Sequence, residues 1–159
     1  MQISFATAPG HPDRPNEDLV LAGPDTVLVL DGAGLPDGTA TGCAHGVPWF
    51  VRTLGAELLH RTPDGYWVAG PDPAAARHAL TGTAPWTALR GAALLTDGAA
   101  RPVDDFATTD WPGLLTLLRD TGPQSLIDHT RALERTDPHH TRWPRTKTHD
   151  DATAALLRP

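Results

Sequence analysis

Four aspartates stand where an apolar run begins or ends. Asp18 opens "DLVLA", Asp31 closes "TVLVLD", Asp97 closes "GAALLTD" and Asp150 comes just before "ATAALLR". Glu17 adjoins the first of them, Gly32 follows the second and Gly98 the third. Taken singly, an Asp-Gly after an apolar run is ordinary turn chemistry, and an Asp before a strand is ordinary loop chemistry. Four such placements together point to a shared site. Crowded carboxylates repel and resist ionising together unless hard divalent cations neutralise them. A donor set made of oxygen selects magnesium or manganese over zinc. Gly32, without a side chain, lets its carbonyl approach such an ion closely.

The elements that must position these groups follow from periodicity. Gln2 to Thr7 alternates polar with apolar residues and predicts a strand, ended by "APGHPDRP". Asp18 to Ala22 and Thr26 to Leu30, separated by "GPD", predict an antiparallel hairpin. In an antiparallel sheet the start of one strand lies beside the end of its neighbour, so acids at alternating starts and ends collect at one edge. From His45 to His60, Val47, Phe50, Val51, Leu54 and Leu58 recur at helical spacing, with Arg52 and Glu57 off the stripe. Tyr66 to Ala69 predicts a short strand and Pro73 to Leu80 a short helix. "GAALLT" predicts a buried strand with a tight turn at Asp97-Gly98. Trp111 to Leu118, capped by Thr109 or Asp110, and Pro123 to Leu133 predict two helices, and Ala152 to Arg158 a closing strand. The class is α+β with mainly antiparallel pairing.

In their order and strand contexts, "RPNEDLV", "VLVLDGAG", "ALLTDGAA" and "HDDATAALLR" resemble the acidic motifs of the metal-dependent, type 2C protein phosphatases, most closely the small bacterial branch. The resemblance implies an α-β-β-α sandwich in which two manganese or magnesium ions activate water for in-line attack on phosphorus. It implies that Asp31 bridges both ions, that the Gly32 carbonyl binds one, and that Asp97 and Asp150 hold the other. Glu17 and Asp18 match the acidic pair that contacts metal or its water, and Asp151 follows the last ligand as a supporting residue. Arg14 matches the arginine that binds substrate phosphate, although it precedes the Glu-Asp pair by one residue fewer than usual. The family's middle section is missing: "AELLHR" runs straight into "TPDGYWVAGPDP", without a Gly-Asp-Ser hairpin. The expectation is therefore one shortened sandwich domain over residues 1–159 with an internal deletion near 61–65, whose exposed sheet edges invite a homodimer.

Composition narrows the remaining choices. At 159 residues with net charge -6 and no Lys/Arg block, the chain is sized for one domain and lacks the footprint of a nucleic-acid binder. A single cysteine rules out an internal disulfide and paired-cysteine zinc spacing, which fits a reducing cytoplasm. No apolar run is long enough to span a bilayer. The five tryptophans are scattered, as core or loop-packing residues are. "HHTRWPRTKTHDD" reads either as a solvated basic loop that balances nearby aspartates or as an attractor of phosphorylated substrate, while His139, His140 and His149 match no zinc motif. Two functions remain. One is a phosphatase acting on phosphoserine or phosphothreonine proteins or small phosphomonoesters. The other is a weak or inactive phosphatase-like module that binds metal or phosphoprotein.

Overall fold

The computed structural model describes residues 1–32, 45–61 and 82–159, with the backbone alone for 57–61. The predicted strand at Tyr66 to Ala69, the predicted helix at Pro73 to Leu80 and most of the 61–65 junction lie outside the described residues. Within them the chain forms β1 (Gln2–Ala8), β2 (Leu19–Ala22), β3 (Val27–Leu30), α1 (Val47–Arg61), a 3-10 turn (Trp86–Ala88), β4 (Ala92–Leu95), α2 (Asp97–Asp104), α3 (Trp111–Thr121), α4 (Pro123–Arg135) and β5 (Ala152–Arg158). The class is α+β, and every strand pairing is antiparallel.

β5 is the central strand of a three-stranded sheet ordered β1-β5-β4. Its run of apolar residues suits a strand covered on both faces, and Ala152 to Leu156 are all buried. Ala152, Ala154 and Leu156 join Leu114, Leu118, Leu126 and Ile127 in the main core, beneath α3 and α4. The intervening Thr153 and Ala155 turn to the other face, where β2 and β3 form a second, two-stranded sheet against β5. α1 closes that side. Gly55 permits the approach, since a Cβ there would lie 2.5 Å from Leu19 Cδ2. The layers are thus α1, β2-β3, the β5 sheet, and α2 to α4.

Three expectations need correction. Asp97-Gly98 is not a tight turn: it opens α2, in which the amides of Ala99 and Ala100 bond to the Thr96 carbonyl. The Gly98 and Pro102 punctuation hides this helix from a local reading, but burial of Ala99, Ala100 and Pro102 holds it in place. Phe50 lies off the buried stripe of α1, 43% exposed, while Val51 carries the contact. "GAALLT" forms β4 on the outside of its sheet, half-buried rather than enclosed. Of the tryptophans, Trp143 is buried whereas Trp49, Trp86 and Trp111 are exposed.

Of the two candidate caps of α3, Asp110 is the one used: its carboxylate accepts from the Gly113 amide at 2.9 Å. Among the described residues, no helix is long and apolar enough to cross a membrane.

Candidate functional site

The antiparallel pairings bring four chain segments to one end of the sandwich. Ala152, at the start of β5, lies opposite Ala8 at the end of β1, and Ala154 opposite Leu95 at the end of β4. In the second sheet, Leu19 and Leu30 pair at the same end. Asp18, Asp31, Asp97 and Asp150 therefore emerge from neighbouring strand ends.

Specific bonds tie these ends together. The Asp97 amide donates to Asp31 Oδ2 at 3.3 Å. The Thr96 hydroxyl donates to Asp18 Oδ2 at 2.8 Å and accepts from the Thr153 amide at 2.9 Å, linking the two sheets. Asp151 accepts from the amides of Gly10 and Glu17, each at 2.6 Å, and so clasps the loop between β1 and β2 to the start of β5. Two glycines permit backbone contact here rather than unusual dihedral angles. A Cβ on Gly98 would lie 1.9 Å from the Asp151 carbonyl oxygen, and one on Gly32 2.2 Å from that of Glu17.

The electrostatics record the crowding. Burial, then the charge of Asp97 and more weakly that of Asp150, raises the Asp31 carboxyl above its ordinary range; the Asp97 amide and Lys147 oppose this. Asp18 is buried, and that burial pushes it up to about 6 despite hydrogen bonds from Thr96 and Thr153. Burial and the charge of Asp151 raise Glu17, against Lys147 and Arg14. Arg14 is thus close enough to act on Glu17, and its own backbone is held by the His11 carbonyl at 3.3 Å.

Asp150 is held by two cations. Arg101 Nη2 reaches its Oδ2 at 3.2 Å, and Lys147 Nζ its Oδ1 at 2.8 Å. Arg101 is itself gripped by the fully buried Glu134, Nη1 to Oε1 at 2.6 Å. Glu134 Oε2 also meets Arg131 at 2.9 Å and His149 Nδ1 at 2.6 Å. Arg131 further donates to the Asp150 carbonyl.

This buried network, Arg101, Arg131, Glu134 and His149, was not predicted from sequence. The i,i+3 spacing of Arg131 and Glu134 on a helix was the only local signal. The basic segment before β5 is a largely exposed loop whose cations balance nearby aspartates, Arg145 on Asp137 and Lys147 on Asp150. Arg145 is buried against Asp137 at 2.9 Å, Arg142 lies over the Trp143 ring at 4.3 Å, and His140 meets Thr148 at 3.0 Å.

The oxygen-only chemistry of Asp31, Asp97 and Asp150 suits a hard divalent ion. Among the described residues, however, no three acidic, His or Cys side chains are already arranged to hold a metal. No family model, curated protein or solved structure matches the chain.

Proposed function

We propose that this chain is a metal-dependent phosphatase-like protein that hydrolyses phosphomonoesters, those of phosphoserine or phosphothreonine included. The supporting observation is that carboxylates from the ends of β3, β4 and the start of β5 meet at one edge, where the Asp97 amide bonds to Asp31 and where burial, then the charges of Asp97 and Asp150, raise Asp31. Manganese or magnesium would be held by Asp31, the Gly32 carbonyl, Asp97 and Asp150, with Glu17 and Asp18 behind them. Bound there, two ions would lower the pKa of water and neutralise the charge that develops on the phosphoryl oxygens. The chain's own contribution is to fix the acids. Asp151 ties the loops, Thr96 sets Asp18, and Arg101 orients Asp150. Arg14, near Glu17, would meet substrate phosphate.

A second reading, a module that binds metal or phosphoprotein with little turnover, draws support from the two cations already on Asp150. The test is hydrolysis of p-nitrophenyl phosphate by the full chain with millimolar manganese. Turnover abolished by Asp31→Asn supports the enzyme. Manganese binding without turnover supports the module, and a folded sample that does neither defeats both readings.

A further inference from the structure

The two cations on Asp150 are not equivalent. Arg101 has a side chain only 7% exposed and is fixed from behind by Glu134 and by the Thr148 carbonyl. Lys147 is 51% exposed, hangs from the loop that enters β5, and among the described residues makes its short ion pair with Asp150. It is also the only lysine in the chain. Its ammonium is a compact charge on a flexible four-carbon stem, easily moved where an arginine fork would not be. That charge reaches well beyond its partner, acting on Asp97 and Asp151 and on Glu17 and Asp31 across the edge. A monovalent cation therefore already sits among the acids that a divalent ion would need, bonded to an oxygen of one proposed ligand.

We infer that Lys147 is a resident counter-ion of this acidic edge, which a divalent metal must displace from Asp150, so that this one side chain sets the metal concentration at which the site fills. The inference rests on the metal-binding reading above. Arg101 would stay and hold Asp150 in place, while Lys147 swings into solvent. A lysine that instead helped to assemble the ligands would leave the opposite signature on removal.

The experiment is calorimetric titration of manganese into the chelator-treated full chain. The samples are wild type, Lys147→Met, Lys147→Gln, Lys147→Arg and Arg119→Met. Arg119, 58% exposed on α3, controls for net charge; its carbonyl meets Arg158 at the opposite end of β5. Loss of one half-exposed opposing charge is expected to tighten binding about fivefold in both Lys147→Met and Lys147→Gln. Arg119→Met should stay within about twofold of wild type, the scatter expected for surface changes, and Lys147→Arg, whose fork holds the carboxylate more firmly, should bind manganese no more tightly than wild type. Equal or weaker binding in both charge-removing variants overturns the inference while leaving the metal site standing. Absence of manganese binding in wild type and in both of those variants overturns the metal reading and the inference with it.

Discussion

Asp150 separates two regions that treat charge in opposite ways. On the α4 side, Glu134, fully buried, is matched by Arg101, Arg131 and His149, and nearby Asp137 is matched by Arg145. On the strand-end side, Glu17, Asp18, Asp31 and Asp97 crowd together, Lys147 acts on Glu17, Asp31 and Asp97, and burial with neighbouring carboxylates raises Glu17, Asp18 and Asp31 above their ordinary range. The first region completes itself, as buried charges must. The second is held by threonine hydroxyls and backbone amides in an arrangement that disfavours its own ionisation. Folding accounts for the first, and a cationic ligand would account for the second.

Neutralising one acid in each region should sharpen this contrast. Glu134→Gln removes the hub of the buried network and leaves clustered cations without their carboxylate, so it should cost about 3–5 kcal/mol. Urea unfolding followed by circular dichroism measures this, and a loss below about 0.5 kcal/mol, the range of neutral surface changes, would mean that the network is not structural.

Next in size is Asp137→Asn. Removal from water opposes the Asp137 charge, but the amides of Trp143 and Arg142 and the Arg145 guanidinium outweigh it and hold the carboxyl well below its usual range. Because the folded group ionises at lower pH than the unfolded one, its contribution is present above about pH 4, the ordinary carboxylate value, and is lost as pH falls through the folded value. Thermal midpoints of wild type and variant should therefore lie far apart at pH 7 and draw together in strong acid. A gap independent of pH would trace the loss to packing instead.

The smallest effect belongs to the acidic edge. Without metal, Asp31→Asn should leave stability unchanged or raise it by about 0.5 kcal/mol, since it relieves repulsion and the amide oxygen can still accept from Asp97. A clear loss on urea unfolding would place Asp31 with the structural acids.

How much of this was legible in the sequence depends on how local each signal is. β5 could be read from its apolar run, α1 from its period and the α3 cap to within Thr109 or Asp110, because each needs only near neighbours. The meeting of the acids could also be read, since antiparallel pairing alone puts strand starts beside strand ends. α2 could not, because Gly98 and Pro102 are local breakers overruled by burial against β5 and α4. Nor could the role of Glu134, whose partners Arg101 and His149 come from distant segments, or the burial of the Arg145 side chain on Asp137 within a loop that is otherwise solvated. Pairings between segments leave no trace in spacing, so the cations were harder to place than the carboxylates.

The most direct test of the claim that the acidic edge awaits a divalent ion is the thermal midpoint of the chelator-treated full chain, recorded with increasing manganese for wild type and Asp31→Asn. Wild type should rise with concentration, reaching about 2.7 kcal/mol of added stability at a hundredfold excess over Kd, while Asp31→Asn should barely respond. A midpoint that manganese leaves unmoved in wild type, or moves equally in both proteins, would contradict it.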